Sequence, residues 1–248
     1  MNNLRNNDRL ASSSGFRIAV IVILAISLPL FFIALNVRVL TNSQTFYEWG
    51  FGANNVERRT GLDDSALTSA ASQIIDYFGN DEEFLDVRVD FEGREIEMFN
   101  EREITHMSDV KDVMNVMFKA VWVTGTMVVI VVAGGFFLLG RGFLPMLRSG
   151  IMWSTIAGLS VAALFGLATL IDFNTTFQLF HEVVFRNDFW KLNPSQSVLL
   201  RLFPQGFWFA ATLLLVVITA VQLGIVYGAA WLASRARGAG INRPRLPQ

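Results

Sequence analysis

The chain has 248 residues, 52% of them hydrophobic and only 17% charged, with a net charge of −1. A soluble domain of this size would not lose every charge from stretches of twenty residues, yet this chain does so four times. Cysteine is absent, which excludes disulfides, a thiolate nucleophile and a thiolate-held metal.

The apolar runs are Ile18–Val37, Ala120–Leu139, Ile151–Ile171 and Phe207–Leu232, and none contains Asp, Glu, Lys, Arg or His. Each is about long enough to cross a hydrocarbon core of roughly 30 Å as a helix. The first run is longer than a signal-peptide core and lacks a small-x-small cleavage site before Arg38, so it reads as a retained span. The expected organisation is a tail (1–17), span one (18–37), an outer domain (38–119), span two (120–139) and a link (140–150). Span three (151–171), an outer interfacial loop (172–206), span four (207–232) and a second tail (233–248) follow. The fold class expected is an all-α, four-helix membrane bundle carrying a small α+β outer domain.

Charge sets the orientation. Residues 1–17, 140–150 and 233–248 hold nine Lys/Arg and one acid, Asp8, whereas 38–119 and 172–206 hold eleven Lys/Arg and twenty acids. The positive-inside rule places the first set, with both termini, in the cytoplasm. The basic tail Arg235, Arg237, Arg243 and Arg245 then reads as a topology anchor, with no nucleic-acid partner.

Both tails, around Ser12-Ser13-Ser14 and after Ala233, read as disordered, and the link Gly140–Gly150 as tight. Gly158, Ala162 and Gly166 form a small-xxx-small stripe that lets a helix approach closely. In the outer domain, the aromatic segment Phe46–Phe51 is expected at the lipid headgroups. Asp63/Asp64 caps a helix with Leu67, Ala70, Ile74 and Phe78 on one face, ended by Gly79-Asn80. Leu85, Val87, Val89 and Phe91 alternate, as do Ile96 and Met98, so Glu92-Gly93 is expected to turn a hairpin. Asn100-x-x-Glu103 forms a capping box for a helix running into span two. Phe173, Phe177, Phe180 and Val184 suit an interfacial helix broken at Asn193-Pro194, with Pro204 setting the entry to span four.

No ionisable group lies inside a span, which weighs against a proton- or ion-coupled transporter. The polar constellation is outside, in two parts: Glu103, His106, Asp109 and Lys111; then His181, Glu182, Asn187, Asp188 and Trp190. Glu103 and Asp109 flank His106 three residues away on a helix, where a carboxylate can fix one ring nitrogen and leave the other as a base. The alternatives are a hydrogen-bonded structural histidine and a metal ligand. The metal signal is weak, since neither His-x-x-x-His nor His-Glu-x-x-His occurs. No serine elbow is present. Two further classes stay open: a membrane-surface metal-dependent hydrolase, and a non-enzymatic sensor or assembly protein.

The run Glu103-Ile-Thr-His106-Met-Ser-Asp109-Val-Lys111, with His181, Phe185, Asn187, Trp190, Pro194 and Phe203-Pro204, resembles a four-span bacterial membrane family, DUF1461. That family includes the lipoprotein intramolecular transacylase Lit. The likeness extends upstream to Tyr47-Glu-Trp-Gly-Phe51 and Thr60-Gly61-Leu62, while Ser197 and Gln205 stand where acidic residues are common in the family. The resemblance implies an enzyme of the bacterial cell membrane, acting at the outer leaflet among membrane lipids on diacylglyceryl-modified lipoproteins. It would move the sn-2 acyl chain to the α-amino group of the N-terminal cysteine, with His106 and His181 as its essential residues. Such an exchange runs downhill from ester to amide and needs no cofactor, and no nucleotide motif is present. A histidine of pKa about 6.5 suits an amine of pKa about 8. Asn187, Lys111 or Arg102 are candidates to steady the oxyanion.

Overall fold

The computed structural model describes residues 14–241. Helices predominate. In chain order they are α1 (Ser14–Thr41), α2 (Gln44–Ala53), α3 (Val56–Thr60), α4 (Asp64–Gly79), α5 (Glu101–Leu139), α6 (Leu144–Ile171), α7 (Phe173–Val184), α8 (Val198–Leu202) and α9 (Gln205–Ile241). A two-stranded antiparallel hairpin, β1 (Arg88–Phe91) and β2 (Arg94–Glu97), lies between α4 and α5 and pairs Val89 with Ile96.

Among the described residues three helical stretches are long and apolar enough to cross a membrane: Ser14–Thr41, Glu101–Ile171 and Gln205–Ala233. Their apolar side chains are largely uncovered: Phe137 is 89% exposed, Ile171 83% and Leu164 74%. Surfaces of that kind are stable only against lipid, which makes this a membrane-integral protein.

The chain divides into two compact units. Of the described residues, one comprises 14–33, 120–164 and 217–241. There Val20, Leu24, Phe143 and Met146 form a small buried cluster. A Cβ on Gly158 would stand 2.4 Å from Leu223 and 3.2 Å from Pro29, so the glycine is what admits those neighbours. The expected link Gly140–Gly150 is shorter than its sequence suggested. A 3-10 turn, Gly140–Phe143, suffices, and α6 begins at Leu144 because nothing from Pro145 to Gly150 interrupts it. The expected disorder after Ala233 is corrected as far as Ile241, to which α9 continues, and residues 242–248 lie outside the described residues. Ser14 opens α1, while Ser12 and Ser13 lie outside the described residues.

The other unit comprises residues 34–119 and 165–216. Its core joins one face of α4 (Leu67, Ala70, Ile74, Phe78) to Leu85, Val87 and Val89. It continues through Tyr47, Phe51, Leu199, Leu202, Phe203 and Phe207. Asp63 caps α4 by accepting from the Ala66 N–H. The segment Phe46–Phe51 lies in α2, whose Tyr47 and Phe51 are buried against Phe203 and Phe207, leaving Trp49 exposed. Aromatic–aromatic packing holds those two rings. Gly50 permits it, since a Cβ there would be 2.3 Å from the Phe207 ring.

Candidate active site

The site is built at the start of α5. Asn100 Oδ1 accepts from the Glu103 N–H, and Glu103 Oε2 accepts from the Asn100 N–H, closing the expected capping box. Glu103 does more than cap. Fully buried, it also accepts through Oε1 from Ser197 Oγ at 2.6 Å and the Leu199 N–H at 2.8 Å, anchoring the first turn of α8. Ser197 in turn caps α8 by accepting from the Leu200 N–H. A serine directly before Val-Leu-Leu was the available sequence signal for this short helix.

His106 lies one turn beyond Glu103, and His181 lies near the end of α7. Both are buried, and their ring centroids are 6.1 Å apart. His181 Nδ1 is 2.7 Å from the Phe177 carbonyl. A carbonyl only accepts, so Nδ1 carries the proton and Nε2 keeps the lone pair. Among the described residues no hydrogen bond reaches that Nε2, and the buried His106 Nδ1 has no partner. Phe177, Phe180, Phe185 and Trp190 pack round His181, and Phe185 also meets His106 edge-on at 5.1 Å.

The expectation that Glu103 or Asp109 holds a histidine is corrected. Glu103 is occupied as described, and Asp109 Oδ2 accepts from Asn187 Nδ2 at 2.9 Å. That bond ties the loop after α7 to α5, and a second tie runs from Arg102 Nη2 to the Asp188 carbonyl, with Arg102 over the Phe189 ring. Asp188 pairs its side chain with Lys191 in solvent, and Glu182 is exposed beside Gln178. Lys111 is not gathered to the histidines. Five residues on, it lies about 140° round the helix from His106. It donates instead to Asn80 Oδ1 and the Glu82 carbonyl and sits over Tyr77, fastening the end of α4. Asn187, Arg102 and Lys111 are thus engaged in tying loops down. The expected break of α7 at Asn193-Pro194 also moves. The helix ends at Val184, where extended Phe185 returns its N–H to the His181 carbonyl.

Burial, and then the neighbouring His181, push His106 down to about 4. Burial lowers His181 also, opposed by the Phe177 carbonyl bond. Both rings are therefore neutral at pH 7. Between about 6.5 and 4 the unfolded chain takes up a proton at residue 106 that the folded chain refuses, so stability falls on acidification through that window. His106 alone should cost about 3 kcal/mol there. Thermal unfolding in detergent at pH 7 and pH 4.5 measures this loss, and His106→Gln should reduce it. Among the described residues no group of three or more His, Asp or Glu side chains gathers as a metal cage would.

Comparison with known proteins fits this geometry. Residues 22–208 match the family profile described as lipoprotein intramolecular transacylase Lit. An uncharacterized protein of Aquifex aeolicus is 30% identical over 202 residues, covering 80% of this chain and 87% of that one. The in meso structure of the transacylase Lit from Bacillus cereus superposes with a TM-score of 0.70 at 18% identity, over 90% of this chain and 100% of the other. A histidine-to-arginine variant of the same protein gives 0.68 at 18% identity, over 94% and 99% of the two chains. The match over most of the length places this chain in the lipoprotein intramolecular transacylase Lit family.

Proposed function

We propose that the chain transfers the sn-2 acyl group of a diacylglyceryl-modified lipoprotein to the α-amino group of its N-terminal cysteine. The observation that carries this reading is the pair of buried, neutral imidazoles presented 6.1 Å apart by α5 and α7, each with a ring nitrogen uncommitted.

The amine nitrogen attacks the sn-2 ester carbonyl carbon, and the surplus amine proton passes to His181 Nε2. The tetrahedral intermediate then breaks its bond to the glyceryl oxygen. A proton returned through the histidine pair leaves that oxygen as a free hydroxyl, so ester and amine become amide and alcohol. His181 suits the base because Phe177 fixes its tautomer and favours the imidazolium. His106, held at about 4, is the weaker base and, once protonated, the stronger acid toward the leaving oxygen. Donor and acceptor belong to one molecule, so holding them in register supplies much of the acceleration. His106, held at about 4, is already neutral there, so the rise in rate between about pH 6 and 8 does not come from it. The substrate amine contributes to that rise. Methylating that amine to shift its pKa should move the rise, and His106→Gln should not.

The helical stretch Glu101–Ile171 is 71 residues long and turns at Gly140–Phe143. At about 1.5 Å per residue it far exceeds one bilayer crossing, so α5 and α6 each supply a span, and α1 and α9 bring the total to four. The charge asymmetry puts both termini in the cytoplasm and the histidines at the outer leaflet. Cysteine tags after Ser149 and Gln248 should resist an impermeant thiol reagent in intact cells, and a tag at Asn80 should react. The reverse pattern would overturn the orientation. Deleting the gene should expose free amines on lipoproteins that were N-acylated, and restoring it should block them. Identical N-termini in both strains would remove the assignment.

A further inference from the structure

His181 is surrounded by rings and not by carboxylates. Phe177 lies 4.2 Å from its ring centroid, Trp190 5.2 Å, Phe180 5.3 Å and Phe185 5.4 Å. All four are within the roughly 6 Å over which an aromatic face attracts a cation. Among the described residues no carboxylate hydrogen-bonds to His181, whose one bond is to the Phe177 carbonyl. From α5 come His106 and Asp109, whose carboxylate accepts from Asn187. On α7, Glu182 is exposed and engaged with Gln178. In the following loop Asp188 pairs with Lys191, and Arg186 is exposed. The first turn of α9, which brings Trp208 against Phe177, has no acidic residue.

We propose that Phe177, Phe180, Phe185 and Trp190 replace a carboxylate, their π faces stabilising the imidazolium that His181 becomes when it takes the amine proton. The catalytic half of this rests on the transacylase reading, while the coupling of rings to imidazolium rests on geometry alone. A carboxylate at this place would favour the imidazolium more strongly than rings do and hold more of His181 protonated at rest. The rings attract the ring only once it is charged, so their help falls on the transition state and not on the resting enzyme. Burial acts against the same charge and sets His181 below the usual histidine range at rest. The four side chains are positioning residues acting through His181.

Progressive fluorination of Trp190, introduced by nonsense suppression into the full chain in lipid nanodiscs, withdraws π density with little change of shape. Two readouts are needed: the titration of His181 by NMR of labelled histidine, and the rate of N-acyl transfer to a synthetic diacylglyceryl lipopeptide. Both should fall stepwise with fluorine number, the rate by roughly tenfold at the tetrafluoro stage, with KM and the unfolding midpoint unchanged. Phe177→cyclohexylalanine, which keeps bulk and loses the π face, should act in the same direction. A His181 titration indifferent to fluorination would overturn the proposal, whatever the activity. A titration that falls while the rate holds would overturn its catalytic half. An inactive wild type with the titration series intact would instead sink the transacylase reading and leave the coupling standing.

Discussion

Replacing either His106 or His181 by alanine should lower N-acyl transfer by about a hundredfold to ten-thousandfold while the protein still inserts and folds. The two rings come from separate helices and converge within 6.1 Å, and neither holds loops together as Asp109, Arg102 and Lys111 do. His181 makes one bond, to a carbonyl in its own helix, and His106 Nδ1 makes none. Removing them therefore deletes few hydrogen bonds. His106→Ala should even relieve the acid sensitivity of folding, since its buried imidazole is what resists protonation. The readout is turnover beside the yield of folded protein in detergent. Two variants lost to degradation, with normal specific activity in the surviving fraction, would assign the histidines to structure.

Glu103→Ala should produce the largest loss of stability at the site. It would orphan two buried donors, the Ser197 hydroxyl and the Leu199 N–H, and the part-buried Asn100 N–H. At about 1–3 kcal/mol for each unpaired buried group, the two buried donors alone total roughly 2–6 kcal/mol. The first turns of α5 and α8 would loosen together, and His106 with them. Glu103→Gln keeps the shape and one acceptor oxygen, so its cost should be about half. Thermal unfolding of purified protein distinguishes the three chains, and equal midpoints for wild type and Glu103→Ala would contradict this role.

What the sequence disclosed about this site follows a physical line. The caps Asp63 and Asn100/Glu103 and the buried face of α4 were legible because a cap or a helical period is settled by residues three or four apart. Long-range partners were not. Nothing near residue 103 reveals that Ser197, 94 positions on, takes its second oxygen, or that Asn187 takes Asp109. Lys111 shows the hazard of reading a motif as a cluster, because spacing along a helix also fixes direction, and residue 111 points away from residue 106. Nor did composition show that Tyr47 and Phe51 take aromatic partners more than 150 residues away in Phe203 and Phe207.

The central claim is that an acyl chain changes place within one molecule, and mass spectrometry of a synthetic diacylglyceryl lipopeptide incubated with the purified protein in lipid tests it most directly. Intramolecular transfer is an isomerisation. The intact mass should stay the same while the free amine disappears, and one acyl chain should survive mild alkali as an N-terminal amide. Hydrolysis by a metal-dependent enzyme would instead remove the mass of a fatty acid and spare the amine. A lipopeptide that keeps both its mass and its free amine, or one that loses a fatty acid, would contradict the account.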